Sequence, residues 1–267
     1  MFPLKTATLP STAEALERQL NQSLRELFLV TSEPVAIRAA SYPRLEELHV
    51  SLSGAKLRGQ PPPIPLLSSK PMPAFDVDSF KISASALSIG PASIDLSVSA
   101  GSVQLCQAYD SAGNVVLLLN NAAAGRIEIS ASPSDLEALI AEVAETEAGK
   151  HGVAIDGVQL TLRSKSPHSL AAEVRLRAKK LFLSASIRIT GQLDLDEELN
   201  ARISGLDCTG DGAIAGVACG VLKTHLQKIE GREFPLMSLP LGEIRLRDVQ
   251  LAVGDKLSVT AEFGSAR

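Results

Sequence analysis

Four histidines (His49, His151, His168 and His225), three cysteines (Cys106, Cys208 and Cys219) and one run of acids (Asp194, Asp196, Glu197 and Glu198) are the side chains best suited to chemistry here. A metal centre or a hydrolytic triad needs such groups at close, recurring spacings. The histidines are scattered, none has a partner at such a spacing, and they read as surface or hydrogen-bonded side chains. The acid run lacks the glycine and the alternation of a calcium loop, so a solvated hairpin end is expected. No cysteine sits in a C-x-x-C, and an odd number without close pairing predicts buried, reduced thiols in a cytosolic setting. Gly210, Gly212 and Gly216 follow G-x-G-x-x-x-G, not a dinucleotide fingerprint, and no parallel βαβ pattern surrounds them. The motifs G-x-S-x-G, H-E-x-x-H and G-x-x-x-x-G-K-[ST] are absent. These residues predict a protein with no catalysis of its own, no metal and no cofactor.

Charge and apolarity give more. The stretch holding Arg163, Lys165, Arg175, Arg177, Lys179, Lys180 and Arg188 is basic, with Glu173 opposing. On a strand, Arg175, Arg177 and Lys179 share one face, opposite Val174, Leu176 and Ala178. A solvated outer sheet face explains that pattern, and the functional reading is docking on anionic lipid headgroups. The proline-rich loop QPPPIPLLSSKPMP at 60–73 is kept out of any sheet interior and carries an apolar tip of Ile64, Leu66, Leu67 and Met72. Folding onto the domain is the bland reading of that tip, and dipping into a membrane or gating a cavity mouth is the sharper one. Ile64, Leu66, Leu67, Arg175, Arg177 and Lys179 are therefore the candidate membrane-contact residues.

The net charge of −4 gives no global attraction to phosphate backbones, and 3% aromatic residues leave few platforms for stacked bases, so nucleic acid is not an expected partner. No run of about 18 apolar residues suggests a membrane-spanning helix. The opening MFPLKTATLP has no apolar stretch of the signal-peptide kind. The expected location is cytoplasmic, peripheral on a membrane, or periplasmic if a leader has been removed.

The elements follow from periodicity. One helix is expected from Ser11, with a Ser11–Glu14 capping box and a stripe of Leu16, Leu20, Leu24, Leu27 and Phe28. A second starts at Ser132 with Pro133 in its first turn and a stripe of Leu136, Leu139, Ile140 and Val143. A third spans about 211–230, and its small residues make its first half slender. Strands are expected near 35–41, 48–55, 77–89, 92–105, 114–119 and 125–130, then near 153–164, 170–178, 181–190 and 193–204, with a closing hairpin at 243–253 and 256–263. The clearest alternation is Phe80, Ile82, Ala84, Ala86 and then Ile94, Leu96, Val98, Ala100 across Gly90-Pro91. A twelve-residue strand reaches on the order of 40 Å, too long to stay flat. The shift of phase from Ile244 and Leu246 to Val249, Leu251 and Val253 marks a bulge. The fold class is therefore α+β: a long, highly twisted antiparallel sheet wrapped around amphipathic helices. A single domain over 1–267 is expected, with helix-then-meander order repeated weakly over 11–130 and 132–263.

Segment 191–263 adds a resemblance. It reads GQLDLDEELNARISGLDCTGDG, then a small-residue helix, then KIEGREFPLMSLPLGEIRLRDVQLAVGDKLSVTAEF. This is similar to the bacterial LmeA-like family of the TULIP superfamily of tubular lipid-binding proteins, which ends in an amphipathic helix, an "lP-G" step and a hairpin. VAIRAASYPRLEELHVSLSGAKL at 35–57 resembles the family's early strand pair. The resemblance implies a sheet wrapped around a helix, an apolar groove or tube for lipid, and no catalytic residue. The lining candidates are Phe80, Ile82, Leu96, Val98, Leu160, Leu162, Val174, Leu176, Leu183, Ile187, Leu195 and Ile203. The resemblance predicts a carrier that presents lipid at a membrane surface. The alternative is a non-catalytic scaffold with a closed core, binding a protein partner through its sheet edges.

Overall fold

The computed structural model describes residues 2–59, 65–150, 152–180, 183–212, 215–236 and 246–265. Its first part comprises β1 (Phe2–Leu4), α1 (Ala13–Leu27), β2 (Phe28–Leu29), β3 (Val35–Arg38), β4 (Arg44–Ser51) and β5 (Lys56–Leu57). Three long strands follow: β6 (Met72–Ile89), β7 (Ala92–Tyr109) and β8 (Val115–Ala131). Then come α2 (Pro133–Gly149), β9 (Ala154–Ser166), β10 (Ser169–Lys180), β11 (Leu183–Leu195) and β12 (Asn200–Asp211). The chain closes with α3 (Ala215–Ile229), β13 (Glu233–Pro235), β14 (Leu246–Val253) and β15 (Leu257–Phe263).

The alternation over 77–105 becomes the paired strands β6 and β7, each 18 residues long. They anchor a sheet ordered β14-β15-β8-β7-β6-β4-β3, with β1 on β8 and β5 joining β2 to β6. A second sheet runs β13-β12-β11-β10-β9. The class is thus α+β with large antiparallel sheets. Two pairings depart from the expected meander, because β4 and β5 run parallel to β6. The described residues form two sheets rather than one. Their edges meet where the Leu251 amide of β14 donates to the Pro167 carbonyl in the β9–β10 turn, at 2.6 Å.

Where the sequence suggested separate strands at 114–119 and 125–130, one strand passes through. Polar residues in its middle find partners: Asn120 Nδ2 donates to Gln104 Oε1 at 2.8 Å, and a register shift at Gln104/Leu105 absorbs the irregularity. Helix α1 starts one residue later than expected. Thr12, not Ser11, is the N-cap, its hydroxyl accepting the Ala15 amide at 3.2 Å. Helix α2 keeps the predicted cap, with Ser132 accepting the Asp135 amide and Pro133 in the first turn. Helix α3 begins later than expected, since Asp211 still belongs to β12. The predicted bulge appears as a register shift between Arg247 and Gln250, with Asp248 at φ 44°. Ile244 lies outside the described residues.

Leu16, Leu20 and Leu24 of α1 are buried against the inner face of the larger sheet, with Leu45, Val50, Val77, Phe80, Leu105, Leu117 and Phe263. A second, smaller core lies between the five-stranded sheet and its helices: Leu176, Ile187, Cys208 and Cys219, flanked by Ile140 and Ala144 of α2 and by Ala218, Leu222 and Leu226 of α3.

Candidate ligand-binding surface

Strand register shows which candidates share a face. In the smaller sheet Val174 sits opposite Leu160 and Ile189, and Leu176 opposite Val158 and Ile187. Ala172 faces Leu162, Leu193 faces Ile203, and Leu195 faces Ala201. Period two then puts Leu160, Leu162, Val174, Leu176, Ile187, Leu195 and Ile203 on one inner face, that of α2 and α3. Leu176 and Ile187 are buried there, whereas Leu160, Leu162, Val174 and Ile203 are half-buried. Leu195 reaches away from them and packs on the main core. Leu183, at the strand end, is 47% exposed, so it is a poor lining residue in this conformation.

On the larger sheet Phe80 pairs with Ala100, Ile82 with Val98 and Ala84 with Leu96, so these candidates also share an inner face. Phe80 is buried in the core at 2% exposure, which makes it packing rather than lining. Ile82, Leu96 and Val98 are half-buried. Ile82 and Leu96 border a cavity of about 210 Å³ that continues to Leu20, Leu24, Leu27 and Phe28 around α1. The apolar strip runs on through Ile127, Ile129 and Val259, and Ile129 is 41% exposed. Sequence reading missed Ile129, Val259, Ile189 and Leu193 as lining, although the alternation over 125–131 and 257–263 carries the signal.

The helix over this surface is loosely seated. No residue of α2 is fully buried, and Val143, expected on its packed stripe, is 65% exposed. Ile140 and Ala144 set the actual contact. Two carboxylates position the helix: Asp135 accepts the Ser93 amide at 2.9 Å and Glu137 accepts the Leu160 amide at 2.7 Å. The Ser132 hydroxyl and the Ser93 amide hold the Asp135 carboxyl below its ordinary range. Glu137 therefore occupies a backbone donor on the free edge of β9, which would otherwise recruit a strand.

The membrane-contact candidates fall in separate places. Leu66 is 81% exposed and Leu67 37%, and just beyond them Ser68 Oγ donates to the Tyr109 and Asp110 carbonyls of the β7–β8 turn. Ile64 lies outside the described residues. Arg175, Arg177 and Lys179 are exposed on the outer face of the smaller sheet, as the alternation predicted. They are not all free: Arg175 pairs with Glu173 at 2.6 Å and Lys179 with Asp156. The Arg175 hydrogen bond, aided by Arg188 and Arg163, holds Glu173 below the ordinary carboxylate range.

The cysteine expectation needs correction. Cys208 of β12 and Cys219 of α3 form a disulfide with Cα atoms 5.5 Å apart, and Cys106 alone is a free, buried thiol. The reversal between β12 and α3 brings the pair together, which spacing alone did not reveal. Among the described residues no cluster of three or more His, Cys, Asp or Glu side chains is arranged to hold a metal. None of the described helices is long and apolar enough to cross a membrane.

Fold and surface together define an α+β chain whose two antiparallel sheets carry half-covered apolar inner faces under amphipathic helices. No family model, curated protein or solved structure matches this chain.

Proposed function

We propose that this protein binds a lipid or a comparable apolar ligand against its inner sheet faces and presents it at a membrane surface, without chemistry of its own. One observation carries the reading. Leu160, Leu162, Val174 and Ile203 on one sheet, and Ile82, Leu96, Val98 and Ile129 on the other, are regularly placed inner-face residues that remain partly open to water. A closed core would bury them; an acyl chain would cover them. Each CH₂ taken out of water contributes about 0.8 kcal/mol, so one sixteen-carbon chain gains on the order of 10 kcal/mol when enclosed. The likeness of 191–263 to LmeA-like sequences supports the same reading, and on that reading the two sheets wrap around the ligand in the TULIP manner.

The scaffold alternative has one observation in its favour. The cavity beneath α1 measures about 210 Å³, less than the roughly 300 Å³ at which ordinary ligand pockets begin. Native mass spectrometry of the purified protein, followed by lipid analysis of an organic extract, separates the two. Stoichiometric bound lipid, lost in Leu162→Asp while the fold is kept, is the expected result. A clean apo mass unchanged by liposomes supports the scaffold.

A further inference from the structure

We infer that the outer face of the five-stranded sheet holds a discrete binding site for a phosphate-type oxyanion, centred on Ala171. Across the strands Ala171 lies between Arg163 of β9 and Gln192 of β11, and the adjacent row is Thr161, Glu173 and Thr190. A methyl group thus occupies a position whose neighbours all carry longer side chains. The result is a dish of about 260 Å³ with Ala171 and Gly205 in its floor and Arg163, Lys165, Thr161 and Thr190 in its walls.

The wall is organised, not a loose collection of charges. Asp194 accepts from Ser169 Oγ at 2.6 Å and from Gln192 Nε2 at 2.7 Å. That fixes the Gln192 amide so that its oxygen accepts from the Lys165 ammonium. Lys165 retains two further donors. Arg163 has no hydrogen-bonded partner among the described residues, so its five-donor fork is unspent. Both carboxylates at the site are engaged: Asp194 by Ser169 and Gln192, and Glu173 by Arg175 at 2.6 Å and Arg188 at 3.5 Å, with Arg163 nearby. Two cations with free donors and two threonine hydroxyls, beside two carboxylates already engaged, form a complementary cradle for a tetrahedral phosphate-type oxyanion. The site lies on the face opposite the half-buried apolar residues and does not depend on the carrier reading. A phosphate group on a membrane lipid and a free phosphate share this chemistry.

The test uses the full chain, inorganic phosphate by isothermal titration at low salt, and co-sedimentation with vesicles of phosphatidylglycerol in phosphatidylcholine. Ala171→Leu fills the dish without changing charge, and Arg163→Gln removes an exposed cation without threatening the fold. Each should weaken phosphate binding about tenfold or more, while Arg126→Gln, the same charge loss on the other sheet, leaves it unchanged. If vesicle binding falls with them, the occupant is a headgroup; if only phosphate binding falls, it is a soluble ligand. Wild-type chain that binds neither probe overturns the site. So does Ala171→Leu binding like wild type while folded, or Arg126→Gln weakening binding as much as Arg163→Gln, since diffuse charge then suffices.

Discussion

Asn21 is one of two buried polar residues among those described, and both ends of its amide are used. Its Oδ1 accepts the Val35 amide at 2.8 Å and its Nδ2 donates to the Val35 carbonyl at 3.2 Å. With Glu17 accepting the Ile37 amide at 2.8 Å, α1 supplies the strand partner that β3 lacks at the sheet edge. Asn21→Ala leaves two buried backbone groups unpaired, so we expect a loss of about 1–3 kcal/mol in urea denaturation. Carboxylates act at the same scale. The Lys256 ammonium and the Ala86 amide lower the Asp95 carboxyl, as the Ser132 hydroxyl and Ser93 amide lower Asp135. Depressed carboxyls stabilise fully above their ordinary value of about 4, and that contribution disappears as pH falls through the lowered values. Asp95→Asn/Asp135→Asn should therefore melt below the parent at pH 7 and converge with it in acid. Parallel melting curves at all pH values would contradict this account.

At the scale of elements, close packing constrains what sequence can vary. A Cβ at Gly125 of β8 would stand 2.1 Å from the Phe263 ring, which is 1% exposed. Gly125→Ala must displace that ring, and thermal unfolding should report a loss of about 1–3 kcal/mol. Helix α3 is tied to β12 by Cys208–Cys219, 11 residues apart. Constraining a loop of that size stabilises by about 2–3 kcal/mol in the chain-entropy view. Cys208→Ser should lower stability by that amount and speed proteolysis within α3; an unchanged cleavage pattern would mean the helix is held by packing alone. Helix α2 behaves differently. Its expected stripe is used only in part: Leu136, Leu139 and Ile140 are half-buried, Val143 is 65% exposed, and Ile140 with Ala144 makes the contact.

At the scale of the whole molecule, the hairpin β14–β15 links segments far apart in the chain. It returns to β8 after the second sheet has been built, and buries Val249, Leu251 and Phe263. It also meets the second sheet through Leu251 and Pro167. A chain cut after residue 245 would leave β8 open from Gly125 to Ala131 and remove Phe263 from the main core. Such an edge templates intermolecular pairing. We expect the truncated chain to elute as soluble aggregate in size-exclusion chromatography; a monodisperse monomer would show that the two sheets stand without the hairpin.

By itself the sequence determined the α+β class, the long strands and which side chains face inward, because period two and caps such as Ser132 are local properties of the chain. Alternation placed Val174, Leu176 and Ala178 opposite Arg175, Arg177 and Lys179, and strand register then brought Leu160, Leu162 and Ile203 to the face of Val174. The tertiary structure alone decided the rest. Phe80 is spent on the core while Ile82 stays half open, and Leu183 falls at an exposed strand end, since burial depends on what arrives from distant segments. Parallel pairing of β4 with β6, the Cys208–Cys219 bond and the dish around Ala171 arise from strand order and turn geometry. Those juxtapose residues that no spacing along the chain links.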